Sequence, residues 1–237
     1  MPNLITPHYR RDYTGEVVSY VYDDVLNSVK SKPRDLPYDF GVKNAIVLGN
    51  GLSKNLPEIQ LLINTNKSKF AENYKLTYAC NRAFFDTAAD YYVIKDADIL
   101  QEIHPDLHHK CFVSYDMWLN RSQTNLIPYY SHLDAGTTAA YLAAFDGAEK
   151  IFLFGMDGTD GLQVGNVYSN TPGYTDPVSP ECFNKFHMFL YDLIKLYPDT
   201  QFYRVKTQYT GKTNVDLSTL PNYTEVSVRE AVLLGDF

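Results

Sequence analysis

The side chains best placed to do chemistry in this 237-residue chain stand at the ends of short apolar runs. Ala45 to Leu48 has no polar member and breaks off into Gly49-Asn50-Gly51-Leu52-Ser53. A run without polar residues reads as a strand buried on both faces. Two residues without a Cβ let the backbone turn sharply and approach a ligand, and the amides that follow suit a phosphate. The stretch lacks the third glycine of the dinucleotide fingerprint and the Gly-Lys-Ser/Thr of a P-loop. A tight strand-to-helix turn with no ligand accounts for it equally well. The same pattern recurs along the chain. Residues 75–80 end in Asn81-Arg82, 90–94 in Lys95-Asp96-Ala97-Asp98, 111–113 in Ser114-Tyr115-Asp116, and 151–154 in Gly155-Met156-Asp157-Gly158.

Each of these groups offers a particular chemistry. Asn50 and Asn81 carry a donor and an acceptor each, enough to read ribose hydroxyls or a base edge. Arg82 is a phosphate ligand whose charge cannot be titrated away. Asp157 can accept from a ribose hydroxyl or take the proton of a reacting one, and it can also be a turn-former before Gly158. Asp96 is a second candidate carboxylate, and Asp98 reads as a helix N-cap. His132 is a candidate base or phosphate contact. His108 and His109 read as a solvated turn, and His187 as a structural residue inside a helix.

These side chains need a scaffold. Helical patterns at residues 55–63, 98–104, 136–145 and 180–197 alternate with the short strands, and 201–205 reads as a last central strand. Alternation of this kind predicts an α/β fold of Rossmann-like type, a mainly parallel sheet with helices on both faces. Ligands of such sheets bind beyond the carboxyl ends of the strands, where the polar residues collect here. Residues 1–41 are polar, Tyr-rich and interrupted by prolines. Val17, Val18, Val21, Val25 and Val29 predict an N-terminal helix over about residues 15–31, so 1–41 reads as a helical extension and 42–237 as the main domain. The extension packs on that domain or is an arm to a partner subunit, which would make a homo-oligomer. Residues 161–180, rich in Gly, Asn, Tyr and Pro, read as a loop that could close as a lid, with Tyr168 and Tyr174 stacking on a sugar or base.

Bulk composition narrows the classes. Hydrophobic residues make up 45% and charged residues 21%, so a sizeable core is expected. The net charge of -7 argues against an extended nucleic-acid footprint. Three cysteines without ligand spacing give neither a metal site nor a disulfide framework. No signal-peptide core and no run of membrane-spanning length is present, which predicts a soluble cytoplasmic protein without a membrane span.

Taken in order, Gly49-Asn50-Gly51-x-Ser53, Cys80-Asn81-x-x-Phe84-Phe85, Ala135-Gly136 opening an Ala-rich helix, and Gly147-Ala148-Glu149-Lys150-Ile151-Phe152-Leu153-Phe154-Gly155-Met156-Asp157 resemble the bacterial sialyltransferases of glycosyltransferase family 42. More distantly they are similar to the motility-accessory-factor glycosyltransferases and the archaeal hydroxymethylpterin diphosphokinases. The resemblance covers about residues 44–205. It implies a nucleotide-sugar-binding domain over 42–237 and a glycosyltransferase that moves a sugar from a CMP- or UDP-type donor to a hydroxyl acceptor. That acceptor is a glycan by family default, a modified DNA base being the outlying case. It also implies Asn50, Asn81, Gly136 and Asp157 as nucleotide contacts. With their neighbours, the nucleotide set is Gly49, Asn50, Gly51, Ser53, Asn81, Arg82, Gly136 and Thr137, and the catalytic set is Asp157, His132 and Asp96.

The chain departs from the family pattern. His132-Leu133-Asp134-Ala135-Gly136 replaces an Arg-x-Thr-Ser-Gly stretch, no histidine stands near residues 176–178 before the late helix, and the Tyr after Gly-x-Asp is missing. These departures imply a donor sugar or reaction other than sialyl transfer. Two further readings remain open. A pterin-type pyrophosphokinase would place magnesium on Asp96, Asp98 and Asp157; no other cofactor is called for. A nucleotide-binding protein of the same fold would lack catalysis.

Overall fold

A computed structural model describes residues 18–23, 28–33, 43–66, 74–121, 123–128, 133–158, 165–171, 174, 180–211 and 215–237. In chain order the strands are β1 (Val18–Asp23), β2 (Ser28–Pro33), β3 (Asn44–Leu48), β4 (Leu76–Cys80), β5 (Tyr91–Ile94), β6 (Cys111–Val113), β7 (Asn125–Leu126), β8 (Lys150–Phe154), β9 (Gln201–Lys206) and β10 (Tyr223–Ser227). The helices are α1 (Pro57–Thr65), α2 (Ala97–Glu102), α3 (Tyr115–Leu119), α4 (Ala135–Phe145), α5 (Pro180–Leu196) and α6 (Val228–Gly235).

One sheet runs in the order β10-β9-β8-β3-β4-β5-β6-β7-β1-β2. The eight strands from β10 to β7 are parallel, and β1 joins β7 and β2 antiparallel. The Rossmann-like α/β class expected from the alternating pattern is the one observed. The N-terminal helix is not: residues 18–23 and 28–33 form two strands, registered from Val18↔Pro33 to Asp23↔Ser28. The valines that suggested a helical stripe are β-branched and alternate with tyrosines, and such residues settle readily on a pleated surface once a sheet edge is there to pair with. β7 and β10 lie in stretches where no strand was expected. Because β10 lies beyond β9, β9 is the second strand from the edge rather than a central one.

The apolar strands are buried on both faces. Ala45 and Val47 of β3 face one core with Leu142 of α4 and Leu190, Leu193 and Ile194 of α5. Ile46 and Leu48 face the other, with Ile59 of α1, Ile99 of α2 and Ala231 of α6. α4 can lie close over β3, β4 and β5 because its sequence AGTTAAYLAAF keeps most side chains short. The chain runs outward from β3 through β4, β5 and β6, then returns to place β8 on the other side of β3. That reversal leaves a crevice above the carboxyl ends of β3 and β8, the place where open α/β sheets bind ligands.

The opposite end of the sheet is closed by the last residues. The Phe237 ring packs edge-on against Phe152 at 5.2 Å and Phe154 at 6.1 Å, and the Lys75 ammonium lies 4.6 Å from its centroid. The Asn44 side chain and Lys75 Nζ donate to the carbonyls of Gly235 and Asp236. Truncating a half-buried ring that contacts two core aromatics removes part of the usual Phe-to-Ala cost. Phe237→Ala is therefore expected to lower unfolding stability by about 2 kcal/mol, read from the midpoint of a urea transition at unchanged slope.

Candidate nucleotide pocket

The turns after β3 and β8 interlock. Gly49 N–H donates to Phe154 O and Gly51 N–H to Gly155 O, each at 2.8 Å, so the two chain segments run on as a ladder beyond the sheet. Gly51 has ordinary extended dihedrals, and what requires glycine there is space. A Cβ would lie 2.4 Å from Asp157 Oδ2 and 2.6 Å from Gly155 O. Ser53 closes the junction. Its N–H donates to Asp157 Oδ2 at 2.8 Å and its hydroxyl donates to Asp157 Oδ1. Both carboxylate oxygens therefore serve a fully buried serine. Burial pushes the Asp157 carboxyl up from its ordinary range, while the Ser53 hydrogen bonds and the Arg204 charge oppose that rise.

Above this junction lies a pocket lined by Gly49, Asn50 and Gly51 after β3, and by Cys80 and Asn81 after β4. Asp134, Ala135 and Gly136 at the start of α4, and Met156, Asp157 and Gly158 after β8, line it too. Its remaining wall includes Tyr174, and Phe186, His187 and Leu190 of α5. Its volume is about 180 Å³. Asn81 is held at φ 44, a left-handed position that asparagine tolerates. The Lys95 N–H donates to its side-chain oxygen at 3.1 Å, which fixes which way the amide points. Asp134 caps α4, its Oδ1 accepting from Thr137 N–H at 2.9 Å.

Residues 165–171 lie against the first turn. Val167 N–H donates to Asn50 O at 2.9 Å, and the Tyr168 hydroxyl lies between Asp86 and the fully buried Lys54 ammonium. Tyr174 reaches further. Its hydroxyl accepts from the side-chain amides of Asn50 and Asn81, each at 2.9 Å. The two asparagines read from sequence as ligand contacts thus converge on one oxygen atom, and that atom belongs to the chain itself.

Of the sequence-derived nucleotide residues, Gly49, Asn50, Gly51, Asn81 and Gly136 line the pocket, as does Asp157 from the catalytic set. Ser53 lies beneath it, bonded to Asp157. Thr137 contributes its N–H to the α4 cap. Arg82 is turned away into a two-pronged pair with Glu102 at 3.0 and 2.7 Å, over the Phe85 ring. Asp96, rather than Asp98, is the helix cap: its carboxylate accepts from the N–H groups of Asp98 and Ile99. His132 lies outside the described residues. No group of three metal-ligating side chains occurs among the described residues. Among them, too, no helix is long and apolar enough to cross a membrane.

His187 was read as structural and lines the pocket instead. It shares the inward stripe of α5 with Leu190 and Ile194, three and seven residues on. A titratable side chain on an otherwise apolar buried stripe was the available signal. It is 5% exposed, and its Nδ1 has no hydrogen-bond partner. Burial lowers its pKa from the ordinary 6.5 to about 4; the Arg204 charge adds to the fall and Glu225 opposes it.

No protein-family model and no curated protein matches the chain. Three solved structures are similar to it. The monofunctional alpha-2,3-sialyltransferase Cst-I from Campylobacter jejuni aligns over 78% of this chain and 84% of its own, at 17% identity and a TM-score of 0.48. An alpha-2,3-sialyltransferase from Campylobacter jejuni in apo form covers 78% and 83%, at 16% identity and a TM-score of 0.44. A variant of the sialyltransferase CST-II in complex with CMP covers 76% and 87%, at 16% identity and a TM-score of 0.34.

Two outcomes are expected from the junction and its histidine. Gly51→Ala should abolish ligand binding in the pocket, measured by calorimetry, because the Cβ has nowhere to go between Asp157 and Gly155. The second concerns pH. An unfolded chain protonates His187 near 6.5, whereas the folded chain keeps it neutral down to about 4. The unfolded state therefore binds more protons across that window, and stability falls as pH drops through it. His187→Gln should make the loss of denaturation midpoint between pH 6.5 and 4 smaller than in the wild type.

Proposed function

We propose that this protein is a glycosyltransferase that moves a sugar from a CMP- or UDP-type donor to a hydroxyl acceptor, with residues 42–237 as the nucleotide-sugar-binding part and 1–41 as an extension. The observation that carries this reading is convergence. Four motifs scattered over more than a hundred residues, which together resemble one glycosyltransferase family, meet in a single pocket at the reversal point of the sheet.

The chemistry of the lining fits. Asn50 and Asn81 supply neutral donors and acceptors for ribose or base, while the Gly49 and Gly51 N–H groups are already spent on the turn after β8. In the transfer, the acceptor oxygen bonds to the anomeric carbon, the bond from that carbon to the phosphate oxygen breaks, and the nucleotide departs with the electron pair. The acceptor hydroxyl must lose its proton.

Among the described lining residues three groups could accept that proton. Asp157 has both oxygens engaged by Ser53. Asp134 holds the α4 cap through Oδ1, and although its Oδ2 has no partner, protonating this carboxylate would weaken the cap. His187 is neutral and has a ring nitrogen without a partner, so it is the base in this reading. An imidazole with so low a pKa is a weak base, and the negative charge of a bound donor would raise it toward working pH.

The pyrophosphokinase reading needs Asp96, Asp98 and Asp157 around one magnesium ion, and Asp96 and Asp157 are instead bound to N–H and hydroxyl donors of the fold.

A thermal-shift series with CMP, UDP and ATP, with and without magnesium, tests the assignment. CMP or UDP should stabilise the fold, by about 2.7 kcal/mol at a hundredfold excess over the dissociation constant. Asn50→Ala should remove that shift. His187→Gln should keep it while donor turnover drops by about a hundredfold or more. Stabilisation by ATP and magnesium alone would replace this reading with the pyrophosphokinase.

A further inference from the structure

Gly158 lines the pocket between His187 and Arg204. Its backbone is left-handed (φ 76), and a Cβ there would lie 2.9 Å from Arg204 Nη2 and 3.0 Å from His187 Nε2. The guanidinium and the imidazole therefore flank the same small space. Arg204 is 1% exposed, and its donors serve the turn after β8, Gly211 and Glu225. Its Nε donates to Met156 O at 2.8 Å, and its Nη2 donates to Asp157 O and, at 3.3 Å, to Gly211 O. Its Nη1 pairs with Glu225 Oε1 at 2.9 Å across the β9–β10 register, in which Glu225 stands opposite Arg204. Glu225 is half-open to solvent and also meets Lys206 Nζ at 3.4 Å and the Tyr223 hydroxyl at 3.2 Å.

We propose that Arg204, held by Glu225, is a positioning residue for His187: it fixes the turn against which the imidazole packs and keeps that imidazole in its proton-accepting form. The inference rests on His187 being the base of the proposed transfer, and its structural half stands without it. The charged and titratable groups around the ring come from several elements. Arg204 lies on β9 and Glu225 on β10, with Tyr223 and Lys206 beyond them. Asp157 after β8 and Asp134 at the start of α4 share the pocket. Arg204, the cation beside the ring among the described residues, is fixed by four polar partners on the protein, so its position is not free to relax when a proton arrives.

The test follows the His187 ring by NMR titration in the full chain, its signal assigned by loss in His187→Gln, alongside the pH profile of donor turnover. Neutralising the two partners should push the ring in opposite directions. Arg204→Gln removes a facing cation, so the titration and the acid limb of the profile should rise toward 6.5. Glu225→Gln leaves the guanidinium uncompensated, so both should move down, by about half a pH unit. Arg204→Lys, which keeps charge but loses the fork, should hold the titration near wild type while lowering turnover.

Opposite shifts support the proposal. A ring that titrates at the same pH in Glu225→Gln, or that moves upward, overturns it. Should Arg204→Gln fail to fold, the Glu225→Gln measurement decides alone. If the shifts occur but His187→Gln turns over donor normally, the electrostatic coupling stands and the assignment of His187 as base falls.

Discussion

The carboxylate of Asp157 is the point on which the pocket depends. It receives two hydrogen bonds from Ser53, one strand away, and so joins the ends of β3 and β8 at the place where the sheet reverses direction. A buried carboxylate is costly unless it is matched by donors. Here the match is made by a residue whose own position depends on a glycine with no room for a side chain. Gly51, Ser53 and Asp157 are therefore one unit: an unfilled acceptor, a misplaced serine or an added methyl group would each part the two turns. Arg204 secures the other side of the same turn through its carbonyls, so the wall of the pocket is anchored from the sheet as well as from the neighbouring loop.

The apolar strands and their order along the chain were legible because a strand buried on both faces leaves a run with no polar residue, and such runs are hard to mistake. α4 and α5 were legible from composition and periodicity. The hairpin of β1 and β2 was not, since valines four apart fit a helix as well as alternating valines and tyrosines fit a strand. Only the presence of the β7 edge decides between them. β10 escaped notice because a strand at the sheet edge carries exposed polar residues, as Thr224 and Glu225 are.

The site was legible in part for the same kind of reason. Glycines and asparagines after strands mark backbone turns and neutral hydrogen bonding, and Gly49, Asn50, Gly51 and Asn81 all line the pocket. Charges were harder to place. Arg82 looked like a phosphate ligand because it follows Asn81, yet the short 3-10 turn that begins there directs it to Glu102. Asp96 took the cap expected of Asp98 because either could cap a helix whose start is uncertain by a residue or two. His187 sat in an amphipathic pattern that reads equally well as structural, and the Arg204 charge that adds to its shift is distant in sequence and lies in a strand.

Tyr174 gives the pocket one more property. Its hydroxyl already satisfies the two amides that the proposed function assigns to a nucleotide. Any ligand oxygen bound there replaces an internal bond instead of filling an empty one, so its net gain is the difference between two similar hydrogen bonds. The observed affinity is then the intrinsic affinity scaled by the fraction of molecules in which the tyrosine has swung away. Substitutions around residues 165–171 that never touch the ligand would thus retune how much of it is needed, a form of control exercised by the unliganded protein on itself.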